Sequence, residues 1–167
     1  MASDAWEALL TAHAVLIKEL NDQDIWHEVS MREYDVLYTL AKCGAPIRPS
    51  ELHRGVLLSQ PALSRMVERL VERGLVQRTK DPDDRRSVRL SLTERGAACQ
   101  RAVGGRHAVG VARAVGSALD DEELLQLEAI CRKLAGHAGL ADVTPMIKAD
   151  RRQRVTTPEV TNKEASR

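Results

Sequence analysis

The sequence predicts a mainly α-helical fold carrying one small β-hairpin, on three observations. Apolar residues recur every three or four positions from residue 4 to about 74, the period shortens to two across residues 76–92, and helical spacing returns from 96 to about 138. The 167 residues suffice for one domain, and 43% hydrophobic with 29% charged content excludes wholesale disorder or a fibrous repeat. No apolar run approaches the roughly 18 residues of a membrane span. The start, MASDAWEALLTAHAVLIKEL, has no basic leader and carries Asp4 and Glu7 inside its apolar pattern, so it is expected to be a helix of a cytoplasmic protein and not a signal peptide.

The first helix, about residues 4–20, has Trp6, Leu9, Leu10, Ala14, Ile17 and Leu20 along one side together with His13, and Ser3 as its expected cap. The second starts at a capping box, Ser30 with Glu33, and the staple Val29 with Tyr34; it runs from Met31 to about Lys42. Its stripe is Tyr34, Leu37, Tyr38 and Ala41, and Gly44 followed by Pro46 ends it. Pro49 suits the first turn of a short third helix reaching about Val56. Ser59 is the expected cap of the fourth, whose apolar side is Leu63, Met66, Val67, Leu70 and Val71. Taking Gly74 as a left-handed residue sets Leu75 against Leu70, a Schellman ending.

These two helices, about residues 49–74, form a helix-turn-helix. Residues 76–79 and 88–92 then alternate around the polar stretch Lys80-Asp81-Pro82-Asp83-Asp84-Arg85-Arg86-Ser87, a hairpin with a long Arg-bearing tip. Together they predict a winged helix-turn-helix with its wing at about 76–92. Thr93 caps a long helix in which Gly104, Gly105, Gly110 and Gly116 each cost about 1 kcal/mol relative to Ala, predicting a bend or a closely packed neighbour. Asp120 with Glu123, and Leu119 with Leu124, start a last helix whose stripe is Leu124, Leu127, Ile130, Cys131 and Leu134, with Cys131 read as core. Periodicity fades from 139 on, so 139–167 is expected to be a weakly ordered basic tail.

The net charge of +1 conceals an uneven distribution: residues 48–95 carry eleven Lys/Arg, ten of them Arg, against seven Asp/Glu, whereas residues 1–47 carry three against eight. Neutrality overall therefore does not argue against a polyanionic partner. All four aromatics, Trp6, Trp26, Tyr34 and Tyr38, fall in the acidic segment, which disfavours base stacking and favours groove reading by Arg and small polar residues.

From Ser50-Glu51-Leu52 through Ser59, Ser64-Arg65, Val67-Glu68-Arg69-Leu70 and Glu72-Arg73-Gly74-Leu75-Val76, to Asp81-Pro82-Asp83-Asp84-Arg85-Arg86 and Leu90-Ser91-Leu92-Thr93-Glu94-Arg95-Gly96, the chain resembles the MarR family of bacterial winged-helix transcription regulators. The resemblance covers roughly 4–138. It departs at Arg48, where a Thr or Ser cap is usual, and at His53-Arg54. It implies a DNA-binding part at 30–95, dimerisation helices at 4–29 and 96–138, a homodimer, and a near-palindromic double-stranded operator with half-sites roughly 10 bp apart. Carried onto this sequence, it places Ser59, Gln60, Pro61, Ala62 and Ser64 at base edges or a phosphate, and Arg65 and Arg69 toward the duplex. Glu68 and Glu72 compete for those two arginines. Arg85 is implied at a phosphate, and Arg86 in the minor groove, oriented by Asp84.

The resemblance further implies release from DNA by a small phenolic or carboxylate effector, with Trp6, His13, Tyr34 and Tyr38 lining its pocket and Trp26 and His27 at its edge; ordinary core packing competes for Tyr34 and Tyr38. Thiol sensing is an alternative, with Cys43 as its candidate. A winged-helix protein-interaction module without DNA binding is another. The five histidines show no close ligand spacing, no cofactor is expected, and the absence of GxxxxGK[ST], HExxH, GxSxG and dinucleotide fingerprints argues against an enzyme.

Overall fold

The computed structural model describes residues 1–82, 84 and 86–137; Arg85 and the proposed tail lie outside the described residues. Six helices and one hairpin follow in the order α1 (Ala2–Asn21), α2 (Met31–Cys43), α3 (Pro49–Arg54), α4 (Gln60–Glu72), β1 (Val76–Lys80), β2 (Val88–Leu92), α5 (Glu94–Gly116) and α6 (Asp121–His137). The mainly helical winged fold is therefore the observed one.

Local chemistry explains most boundaries. Ser30 Oγ accepts from Glu33 N–H at 3.3 Å and the Glu33 carboxylate accepts from Ser30 N–H at 2.9 Å, so the start of α2 is closed from both sides. Gly74 is left-handed (φ 67°), and the N–H groups of Leu75 and Gly74 donate to the carbonyls of Leu70 and Val71, completing the Schellman ending of α4. Three boundaries differ from expectation. Met1, not Ser3, precedes α1; α3 ends at Arg54, where Gly55 N–H closes back on the Leu52 carbonyl; and Ser59 precedes α4 without a side-chain cap hydrogen bond.

The core is assembled where α2 packs on α5 and β2 and where α4 packs on β1. Val36, Leu37, Leu52, Leu70, Leu75, Val76 and Leu90 are almost wholly buried in it. β1 and β2 are antiparallel, with Val76 opposite Leu92 and Lys80 opposite Val88, and Ile47 adds an isolated bridge to Leu90. Thr93 fastens α5 to this sheet: its hydroxyl accepts from Gly96 N–H at 3.0 Å and donates to the Gly74 carbonyl at 2.7 Å. Of the four glycines expected to weaken α5, Gly104 lies against the Tyr34 hydroxyl and Gly110 against Gln23, as a closely packed neighbour requires; Gly105 and Gly116 have no described atom within 4 Å of an added Cβ.

The terminal helices contribute differently. Only Leu20 of α1 is buried, and no described residue of α6 is. Cys131, expected in the core, is exposed along with Leu127, Ile130 and Leu134, because no described residue buries that stripe.

Candidate nucleic-acid interface

The amphipathic pattern of α4 divides its residues cleanly. Leu63, Met66, Val67 and Leu70 point into the core, while Ser59, Gln60, Pro61, Ser64, Arg65 and Arg69 are exposed and Ala62 is half-buried. The competing ion pairs of Arg65 with Glu68 and Arg69 with Glu72 do not form, and among the described residues no salt bridge engages either guanidinium. Two cations four residues apart thus remain on one solvent-facing helix surface, at the spacing that aligns side chains along a helix. Between the first turn of α4 and the hairpin lies a cleft of about 470 Å³ lined by Gln60, Pro61, Ser64, Arg78 and Val88.

The far end of α4 is anchored by Arg73. Its Nη1 donates to Glu33 Oε1 at 3.0 Å, its Nη2 donates to the Glu28 carbonyl, and Arg95 Nη1 donates to the Arg73 carbonyl at 3.0 Å. Burial pushes the Glu33 carboxyl upward, but hydrogen bonds from the Ser30 N–H and hydroxyl and the charge of Arg73 outweigh it, holding the group below its ordinary value. The exposed face of α4 is therefore carried on a helix fixed at its C-terminal end.

At the wing tip Arg86 is exposed. Asp84 does not orient its guanidinium: Oδ1 accepts from the Arg86 backbone N–H at 3.0 Å and Oδ2 from the Ser87 hydroxyl at 2.7 Å. The reason is reach, since an Asp carboxylate closes readily on the N–H two residues ahead in a tight turn. The Ser87 and Arg86 hydrogen bonds, in that order, lower the Asp84 pKa. Asp84 thus shapes the loop and leaves the Arg86 side chain to solvent.

The residues proposed for an effector do not all meet. Tyr34 is buried at the centre of an aromatic group, with ring centroids 5.8 Å from Trp26, 5.8 Å from Tyr38 and 5.4 Å from His107. Trp26 Nε1 donates to the Leu20 carbonyl at 2.8 Å, so this ring also closes the end of α1. Trp6 is 60% exposed and His13 is exposed, both on α1, and His27 is an exposed neighbour of Asp24 at 3.4 Å. Tyr38 has Lys42 Nζ over its ring at 4.5 Å and borders a cleft of about 590 Å³ shared with Lys42, Ser91, Gln100 and Arg101. His107 was not legible as part of this group. Its Nδ1 is buried and has no hydrogen-bond partner among the described residues, and burial lowers its pKa.

Cys43 is half-buried; burial and then the charge of Glu51 raise its pKa, the reverse of what a thiolate sensor needs. Cys99 is buried and its thiol is raised as well, chiefly by burial. Among the described residues there is no group of three or more His, Cys, Asp or Glu placed to hold a metal ion, and no helix is long and apolar enough to cross a membrane.

Comparison with known proteins places this geometry. A model of the MarR family matches residues 29–88, the span from the start of α2 to the wing. The HTH-type transcriptional regulator PecS of Dickeya dadantii (strain 3937) is 33% identical over 113 residues, which is 66% of this chain and 68% of that protein. The crystal structure of AbsC, a MarR family transcriptional regulator from Streptomyces coelicolor, superposes with a TM-score of 0.71 at 28% identity, over 81% of this chain and 93% of that one. Sco3205, a MarR family transcriptional regulator from the same organism crystallised in complex with DNA, gives 0.68 at 26% identity over 80% and 84%.

Proposed function

The chain belongs to the MarR family of DNA-binding transcription regulators, and on that premise we propose that it is a cytoplasmic homodimeric repressor of a near-palindromic double-stranded operator, released by a small aromatic effector. The observation that carries the reading is the pair Arg65 and Arg69 on the outer face of α4, engaged by no salt bridge among the described residues. A guanidinium left in solvent, on a helix whose opposite face is locked into the core, is available to a phosphate or a guanine edge at little reorganisation cost. Gln60, Pro61, Ala62 and Ser64 sit in the N-terminal part of α4, whose first-turn backbone N–H groups favour a phosphate. Arg86 reaches the adjacent minor groove and Arg85 a flanking phosphate.

In this reading the effector enters at Tyr38, which borders the 590 Å³ cleft; Tyr34 stacks on that ring and Trp26 packs in turn on Tyr34. The thiol-sensing alternative loses ground with the raised Cys43 pKa.

The test is selection of a duplex from a randomised pool by the wild-type chain, followed by anisotropy titrations over a salt series. Arg86→Ala is expected to weaken binding about tenfold and to reduce the salt slope by about 1, because one fewer counterion is released. An unchanged affinity and slope would remove Arg86 from the interface. Failure of the wild-type chain to select any duplex would overturn the DNA-binding reading in favour of a protein-interaction module.

A further inference from the structure

The root of the wing is tied to the start of α3 by groups distant in sequence. Ile47 and Leu90 exchange both backbone hydrogen bonds, at 3.0 and 2.7 Å, so the chain leaves the sheet edge at residue 48. Arg48 then precedes α3, where its own N–H donates to Glu51 Oε2 at 2.6 Å. Its side chain turns the other way, and Nε donates to Asp81 Oδ2 at 2.8 Å. Oδ1 of the same carboxylate accepts from Arg89 Nη2 at 3.2 Å.

Asp81 has a fully buried side chain (0% exposed), whereas that of Arg48 is 45% exposed. A carboxylate so enclosed is tolerated only with its cations in place, so its position is dictated by them. Asp81 is also where the ladder gives way to the tip: its N–H donates to the Ser87 carbonyl at 3.0 Å, one residue beyond the last pair, Lys80 with Val88. Whatever fixes Asp81 therefore fixes the base of the loop that carries Arg86.

We propose that Arg48 is a positioning residue for DNA binding, which through Asp81 holds the base of the wing loop and so sets Arg86 relative to Arg65 on α4. The proposal rests on the DNA-binding reading above. Arg89 supplies the second arm of the clamp from β2 itself, so it travels with the hairpin. Arg48 is the arm that belongs to the helix-turn-helix, so it ties the base of the wing loop to the start of α3.

The experiment uses the full chain and the duplex it selects. A wild-type chain that selects none overturns the underlying reading; one that selects a duplex and tolerates Arg48→Met overturns the present proposal alone. Arg48→Met is expected to weaken binding about tenfold, the scale of one lost guanidinium contact, with a cooperative far-UV melting transition still present at a lower midpoint because Asp81 loses one of its cations. Arg48→Lys, which keeps a charge within reach of Asp81, is expected to recover most of that loss. In an Arg86→Ala background, Arg48→Met should cost less than about twofold, because the contact it positions is already gone. A full tenfold loss in that background would show that Arg48 holds a phosphate directly, and would overturn the positioning role. Asp81→Asn should match Arg48→Met, and the double variant should be no worse than the weaker binder of the two. Should Asp81→Asn not fold, the cycle between Arg48 and Arg86 decides by itself.

Discussion

At Gly96 a single methyl group would do the greatest local damage. A Cβ there would lie 1.9 Å from the Leu75 carbonyl oxygen and 2.8 Å from its carbon. Neither neighbour can retreat: Leu75 is fully buried, its N–H completes the ending of α4, and its carbonyl accepts from Thr93 N–H at 3.1 Å. Gly96→Ala is therefore expected to cost about 3 kcal/mol, the upper end for overpacking, and to lower the thermal midpoint by about 10 °C. Gly105, in the same helix with open space beside it, should respond in the opposite direction. Gly105→Ala removes backbone freedom from the unfolded chain and is expected to add about 0.5–1 kcal/mol. Calorimetric melts of the two variants check both signs, and a harmless Gly96→Ala would mean that the junction of wing and α5 is looser than its packing indicates.

Between elements, the pin formed by Glu33 and Arg73 joins the start of α2 to the end of α4 and predicts a pH dependence. The Glu33 carboxyl is held below its ordinary 4.5, so the folded state binds its proton less readily than the unfolded state does. Its contribution is then complete above pH 4.5 and is lost as the pH falls through the lowered folded-state value. Urea midpoints should accordingly fall more steeply below pH 4.5 for the wild type than for Glu33→Gln, and the two curves should run parallel above pH 6. Superimposable curves throughout would remove the pin. The same pair illustrates what was legible in the sequence. Ser30 and Glu33 are three residues apart, and Leu70, Gly74 and Leu75 five or fewer, so the box and the Schellman ending were readable from spacing. Arg73 lies 40 residues from Glu33 and Arg48 33 from Asp81, and no local pattern announces such pairs. Where two short-range options competed, spacing could not choose. Asp84 could face the Arg86 guanidinium or its N–H, and the nearer N–H prevailed; Ser59 could cap α4 and does not. His107 was missed for the long-range reason, since Trp26 and Tyr34 reach it only once α2 lies on α5.

For the molecule as a whole, the first and last described helices carry apolar surface that no other described residue covers. Trp6, Leu9, Leu10, Val15 and Ile17 are exposed on α1, and Leu125, Leu127, Ile130 and Leu134 on α6. Scattered exposed leucines are ordinary, but nine large apolar side chains confined to two terminal helices form the kind of patch that marks an association surface. The winged-helix core between them is complete without either patch, so association and local folding should separate. Leu10→Glu combined with Ile130→Glu places a carboxylate on each face and is expected to convert a wild-type dimer into a monomer by sedimentation equilibrium at tens of micromolar. The far-UV spectrum should be retained. Affinity for the selected duplex should fall by about a hundredfold or more, because the second half-site would no longer be reached at the effective concentration that a linked partner provides. Arg65, Arg69 and Arg86 remain untouched in this variant, so a fall of that size reports loss of the second subunit and not of any contact to DNA. A wild-type chain that sediments as a monomer, or a double variant that still dimerises, would place the association surface elsewhere. If the monomeric variant kept full affinity, one winged helix would suffice for recognition, and the two-fold operator would have no physical basis.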